Sequence, residues 1–302
     1  MVDALQCFDV LEDAMVSSPK VMPSRKVFMS GIDETSIAGD ILADYADGHS
    51  GFPLRLSMDM DVPGWVDHDT TSIVMSISGD SGHALAVCRE AASRGGQLVC
   101  ITPEGAIAEQ CQQLGGLWVP IGEAPDVPMA IMSVLGKTAS IIQSTGACDA
   151  VDGIRRCLPQ VRTWAESDMG DMSVIAEFIR GRIPAFYSTS DIHAASKMWR
   201  QAISSVTGRP AFYGDLPEFD HNELVGWSDP NAHSPDLRMV VLRGSGSSKL
   251  VDSIVGFMLE VLDENGRDVA TVDLGDGDPV TLDLRAFAAC VAVVNEMGGS
   301  ID

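Results

Sequence analysis

Short apolar runs alternate with amphipathic stretches along the first half of the chain. The runs are nearly continuous in apolar character, which is typical of parallel strands that are buried on both faces. We predict strands at residues 27–31, 73–78, 98–102 and 117–120. Helical spacing lies between them, at residues 35–46, 83–94 and 106–114, and again from residue 127 onwards. This alternation favours an α/β fold whose parallel sheet has helices on both faces.

The second half of the chain repeats the same plan. Its predicted strands are residues 185–188, 211–213, 239–243 and 268–274, and its predicted helices are residues 193–204, 250–262 and 281–296. A proline, arginines and several acids lie between the halves, and we place the boundary near Asp152. The expected domains are therefore residues 1–151 and 152–302, each a doubly wound sheet. Ligands of such sheets bind at the carboxyl ends of the strands.

Composition and charge narrow the function. The chain has 302 residues, of which 45% are hydrophobic and 21% charged, and its formal net charge is −23. An excess of negative charge argues against nucleic acid or an anionic membrane as a partner. The seven cysteines form no CxxC pair, which favours reduced cytoplasmic thiols over disulfides or a zinc site.

No membrane or secretory segment is expected. The N-terminus has acids where a signal peptide would have its basic region. The apolar run at residues 127–147 carries Lys137 in its middle, so a buried helix is the better interpretation. We therefore expect a cytoplasmic protein.

Hydroxyl-rich loops follow three of the predicted strands, at residues 35–36, 76–81 and 188–190. The loop SISGDS at 76–81 leads into a helix, where hydroxyls and free N–H groups can bind an anion. The alternative is that Ser or Asp in this loop simply caps the helix, and spacing alone favours this alternative. The loop matches neither a Walker motif nor G-x-G-x-x-G.

The richest polar stretch is LPEFDHNELVGW at residues 216–227. It places His221 among Asp, Asn and Glu, which suits proton transfer. The spacing alone is weak, because a histidine in a polar turn is more often structural. The other histidines show no metal-ligand spacing, so we predict no metal site.

This stretch resembles the LPE-x-x-HNE-x-VGW-like signature of the bifunctional phosphoglucose/phosphomannose isomerases. VFMSGIDETSIAGDIL resembles the first glycine-rich turn of that family, SISGDS resembles its SYSGNT loop, and Met198-Trp199-Arg200 resembles its R-W-K run. The resemblance implies two flavodoxin-like SIS (sugar isomerase) domains, a homodimer, and a site between domains and subunits. It also implies aldose–ketose interconversion of a six-carbon sugar phosphate, with no cofactor.

Site residues carry over by position. The resemblance makes His221 the ring-opening histidine and Thr35 the counterpart of the serine in the first turn. It makes Ser76, Ser78 and Ser81 the hydroxyls that bind phosphate.

The sequence also departs from the family pattern. The family's catalytic glutamate, in an N-E-N-A-K segment, aligns with Ser205, and its active-site arginine aligns with Asp126. A hydroxyl with no adjacent base cannot remove a carbon-bound proton near neutral pH. The sequence given ends at Asp302, before the family's lysine-bearing tail, and the first turn reads Asp33-Glu34-Thr35-Ser36 in place of Gly-Gly-Ser-Gly.

Four acids fall on loops expected near the ligand: Asp33, Glu34, Asp80 and Asp126. A carboxylate about 5 Å from a phosphate charge costs roughly 3 kcal/mol at an effective dielectric near 20. Each such contact would weaken binding about a hundredfold. Alternatively, each acid points to solvent, as most Asp and Glu side chains do.

Three hypotheses follow. The first is an SIS-fold protein that binds a sugar phosphate, a related small molecule or a partner protein, and has lost ordinary isomerase activity. The second is an active glucose/mannose 6-phosphate to fructose 6-phosphate isomerase with a relocated base, with Glu223 as the best substitute and Glu218 behind it. In the third, a divalent cation bridges the new acids and a phosphate.

Overall fold

The chain folds into two compact units in a computed structural model. One unit is Leu5–Leu158, and the other consists mainly of the residues from Pro159 onwards. The described residues are 2–16, 19–32, 34–122, 124–229, 236–245 and 248–298. The division between the units falls within a long helix, further along the chain than the boundary at residues 151 and 152 that we expected.

The first unit is a five-stranded parallel sheet with the order β2-β1-β3-β4-β5. This is the flavodoxin-like order. Its strands are β1 Lys26–Ser30, β2 Leu54–Ser57, β3 Thr70–Met75, β4 Gln97–Ile101 and β5 Leu117–Val119. Its helices are α1 Ala4–Val16, α2 Glu34–His49, α3 Gly82–Ser93, α4 Ala106–Gln113 and α5 Val127–Thr145.

The second unit has a four-stranded parallel sheet with the order β7-β6-β8-β9. Its strands are β6 Ile183–Thr189, β7 Phe212–Leu216, β8 Leu237–Arg243 and β9 Val269–Asp273. The helices after the division are α7 Met172–Ile179, α8 His193–Thr207, α9 Glu218–Asn222, α10 Leu224–Ser228, α11 Lys249–Glu264 and α12 Pro279–Glu296. Helix α6, Ala150–Ser167, spans the division.

The expected fold class is confirmed: an α/β chain with two parallel sheets flanked by helices. Every predicted strand and helix is present, with its ends shifted by a few residues. Strand β3 ends at Met75, so Ser76 and Ser78 lie in the loop after it. The pattern analysis missed β2 and the helices α1, α6, α7, α9 and α10.

Local sequence signals account for the longest helix in the first unit. Asp126 caps α5 by accepting a hydrogen bond from the N–H of Met129, and a proline lies in the first turn. Gly146 ends the helix in the left-handed conformation, which glycine adopts without strain. Lys137 is 7% exposed within this helix, in agreement with a buried core helix. Across the part of the chain that the structure describes, no helix combines the length and apolar character needed to cross a membrane.

Candidate functional site

A small cavity lies at the carboxyl ends of β1 and β3 in the first unit. Its volume is about 130 Å³. The strand order places these two strands side by side, and the helices that follow them, α2 and α3, begin at the cavity. All four hydroxyl residues that the resemblance assigned to substrate binding lie in its wall: Thr35, Ser76, Ser78 and Ser81.

The serine loop folds into a tight turn above the cavity. Ser76 accepts a hydrogen bond from the N–H of Gly79 at 3.3 Å, and its Oγ lies 3.3 Å from Oγ of Ser78. Ser81 is the N-cap of α3 and accepts from the N–H of Ala84 at 3.4 Å. The loop therefore caps a helix and also presents hydroxyls to the cavity, so the two interpretations are compatible.

Thr35 closes the turn after β1. Its hydroxyl donates to the carbonyl oxygen of Ile32 at 2.7 Å, and its side chain is buried. A Cβ on Gly31 would lie 2.8 Å from this hydroxyl oxygen, which explains the glycine at that position. Because the Thr35 proton is already donated, the hydroxyl can serve a ligand only as an acceptor.

Sequence reasoning missed Ser30, the last residue of β1. Its side chain is 1% exposed and lines the cavity, and Oγ has no hydrogen-bond partner among the described residues. Buried hydroxyls nearly always have a partner, so this one points to a ligand or a water in the cavity. A serine that ends the apolar run VFMS is the sequence signal that could have found it.

Two of the four acids cap helices. Asp80 accepts from the N–H of Ala106 at 2.9 Å, at the start of α4, where the N-cap residue Gly105 has no side chain. Asp126 caps α5 in the same way. Each carboxylate is held at the positive end of a helix, which attracts negative charge. Neither side chain therefore lines the cavity. Glu34 does line it, and Asp33 lies outside the described residues.

The LPEFDHNELVGW stretch forms two short helices in the second unit, after a cis peptide bond between Leu216 and Pro217. Phe219 is buried and anchors α9, whereas His221 is exposed on the same helix. Burial raises the pKa of the Asp220 carboxyl above its usual range, and the nearby His221 opposes this.

Glu223 lies at a different cavity, of about 470 Å³, in the second unit. The Tyr187 hydroxyl donates to Oε2 of Glu223 at 2.5 Å. Burial raises the pKa of Tyr187 far above its usual range, and the Glu223 carboxylate adds a smaller increase in the same direction. His221 is not among the described residues that line this cavity, so the two expected catalytic residues do not converge on it.

Ser205 is exposed on the last turn of α8, at the position that the resemblance assigns to the base. A different titratable pair lies at the carboxyl-end side of the second sheet. His193 Nδ1 and Asp215 Oδ1 are 2.7 Å apart, with side chains 30% and 34% exposed. Periodicity gave no sign of this pair, because the pairing of β6 with β7 brings the two residues together.

Within the described ranges, no group of three or more His, Cys, Asp or Glu side chains converges as a metal site would. The cation that the third hypothesis requires therefore has no ready-made ligand set among these residues.

Comparison with known proteins finds similar sequences and folds among SIS-domain proteins. Residues 170–287 match the family described as "Bacterial phospho-glucose isomerase C-terminal SIS domain". The bifunctional phosphoglucose/phosphomannose isomerase of Aquifex aeolicus is 28% identical over 214 residues, which are 69% of this chain and 64% of that protein. The match thus spans less than two thirds of that relative's length. The chain is an SIS-fold protein related to the phosphoglucose/phosphomannose isomerases.

Two further relatives differ in named activity. The D-glucosamine-6-phosphate 4-epimerase of Sulfolobus acidocaldarius is 27% identical over 227 residues, covering 72% of this chain and 69% of that protein. The C-terminal domain of glucosamine-fructose-6-phosphate aminotransferase from Francisella tularensis has a TM-score of 0.67 at 11% identity, covering 99% of this chain and 96% of that one. The second likeness concerns the fold alone.

Proposed function

We propose that this protein binds a sugar phosphate through the serine-loop cavity and has lost ordinary aldose–ketose isomerase activity. The observation that carries the binding is the buried hydroxyl of Ser30, which has no partner among the described residues and lies beside Ser76, Ser78 and Ser81. The start of the twelve-residue helix α3 adds a dipole that is favourable for an anion. The volume of about 130 Å³ suits a phosphoryl group with the sugar extending outwards.

The loss of ordinary activity rests on the base. The resemblance assigns Ser205 to the position of the family's glutamate, and a hydroxyl on an exposed helical turn does not take a proton from carbon. The exposed His221 could still open a sugar ring, but ring opening alone does not isomerise the sugar. We further expect a homodimer, as the resemblance implies, and a cytoplasmic location, as the cysteine pattern favours.

One observation favours the second candidate, an active isomerase with Glu223 as the base. This carboxylate lines an open cavity large enough for a hexose. Against it, the described lining of that cavity includes no basic, Ser or Thr side chain that would bind the phosphate. The Tyr187 hydroxyl also donates to Oε2 of Glu223, so that oxygen is already engaged when a substrate would need it.

The deciding experiment is an NMR time course of the purified protein with fructose 6-phosphate in D2O. We expect broadened ligand signals and no aldose 6-phosphate. Ser78→Ala should reduce the broadening, because its exposed hydroxyl faces the cavity, whereas Ser93→Ala at the far end of α3 should not.

The other results are equally informative. Aldose 6-phosphate with deuterium at C2 would show that isomerase activity remains. Loss of that turnover in Glu223→Gln would establish the second candidate, and unchanged turnover would exclude it. Signals that stay sharp in the unaltered protein would refute sugar-phosphate binding itself.

A further inference from the structure

The cavity beside Glu223 lies in the second unit, whereas the serine-loop cavity lies in the first. Its wall is formed by Ala185 and Tyr187 of β6, the first residues of β7 and β8, and the short helices α9 and α10. The volume of about 470 Å³ falls in the usual range of small-molecule pockets.

Three aromatic rings form much of the wall. The rings of Tyr187 and Trp227 stand edge to face, with centroids 6.5 Å apart, and Phe212 is 55% exposed at the mouth. Gly214 makes room for the Tyr187 ring, since a Cβ there would lie 2.7 Å from a ring carbon. Tyr213 belongs to the wall through its place on the edge strand, while its ring contacts His193.

The charge of the cavity comes from Glu223. Tyr187 donates to this carboxylate, and Trp227 in turn forms a side-chain hydrogen bond with Tyr187, so the carboxylate is held through Tyr187. Among the described residues that line the cavity, none is basic. Arg238, next to the lining residue Leu237, stacks over Phe178 instead.

We propose that this cavity binds a small organic cation of the substituted-ammonium class. Aromatic ring faces attract such a cation, and a fixed carboxylate at the wall neutralises its charge. A phosphate or another anion would meet Glu223 with no cation to offset it. The hydroxyl proton of Tyr187 is already donated to Glu223, and few side-chain donors, among them the Asn222 amide, remain in the described lining for a neutral sugar.

The test compares choline with its neutral isostere 3,3-dimethylbutan-1-ol by saturation-transfer NMR on the full chain. We expect choline to bind at least tenfold more tightly. Phe212→Leu and Glu223→Gln should each weaken choline binding by about tenfold, because one removes a ring face and the other the charge. Phe257→Leu on α11 and Glu218→Gln on α9 are matched controls outside the lining. Each should change the affinity for choline by less than twofold.

Equal affinity for choline and the neutral alcohol would overturn the proposal, as would unchanged choline binding in both Phe212→Leu and Glu223→Gln. Sedimentation of the same samples tests a second copy of the chain as the occupant. A homodimer that Phe212→Leu dissociates, with choline binding neither form, would make the cavity a subunit contact and the proposal wrong.

Discussion

At the scale of single residues, two acids that look alike in the sequence have opposite consequences for anion binding. Glu34 lines the serine-loop cavity, whereas the carboxylate of Asp80 is directed to the N–H of Ala106. A carboxylate in the wall repels a bound phosphate strongly, because the distance between the charges is short and little water lies between them. A carboxylate that caps a helix is compensated by that helix.

Because Glu34 is half-buried, water screens part of the roughly 3 kcal/mol expected at about 5 Å. We therefore expect Glu34→Gln to tighten fructose 6-phosphate binding by about tenfold in low salt, which corresponds to about 1.4 kcal/mol. Calorimetric titration measures the change. Asp80→Asn is the matched control, removing the same charge from the neighbouring loop, and its effect on affinity should be less than threefold. Equal tightening in both variants would mean that both acids act on the ligand.

The same residues show how far the site could be predicted. The serine loop was predictable because its hydroxyls are contiguous and follow an apolar strand. Ser30 aside, what was missed depends on contacts between residues far apart in the sequence: the bond between Tyr187 and Glu223, and the contact between His193 and Asp215. Nothing local in the sequence states whether an acid on a loop turns to a cavity or to a helix.

At the scale of elements, apolar runs predicted the buried strands because those strands are apolar on both faces. Strand β2 was missed because LRLS alternates at the edge of its sheet and is short. Helix α6 was hidden by Pro159 and a polar composition, although its apolar positions do lie on one side. Helices α9 and α10 have five residues each, too few to show a period.

Close packing of α1 against α5 depends on Gly136. A Cβ at this position would lie 2.7 Å from the carbonyl oxygen of Leu11 and 2.8 Å from Cβ of Ala14. We expect Gly136→Ala to lower the free energy of unfolding by about 1–3 kcal/mol, because overpacking outweighs the better helix propensity of alanine. Urea unfolding followed by circular dichroism measures this.

The control for that substitution is Gly256→Ala on α11, where an added Cβ meets nothing within 4 Å. Propensity alone acts there, so the free energy of unfolding should rise by up to about 1 kcal/mol. If Gly136→Ala stabilises the protein as Gly256→Ala does, α1 and α5 accommodate the added methyl group without cost. The described packing of these two helices would then be wrong.

At the scale of the whole molecule, each unit has its own parallel sheet, and the order of strands was not readable from periodicity. Periodicity identifies strands but not their neighbours, since crossover connections allow several orders. The resemblance to two flavodoxin-like domains supplied the order that the first unit has. Fold class was therefore predictable from physics, and topology required a relative.

The net charge of −23 belongs to the whole chain and acts on its stability. The ion pairs that the described residues form are mostly exposed, such as Arg156 with Asp149 and Arg180 with Glu177, and exposed pairs contribute little. Self-repulsion should therefore exceed attraction, and salt should relieve it, because the Debye length shrinks to about 10 Å at 0.1 M.

We expect the Tm to rise by roughly 2–4 °C between 20 and 200 mM NaCl, which corresponds to about 1 kcal/mol for units of this size. KCl should raise the Tm as much as NaCl does. The calorimetry should use these inorganic salts, because an organic cation would also enter the cavity beside Glu223. A Tm that falls with salt would show that attractive pairs, not repulsion, dominate the electrostatics of this chain.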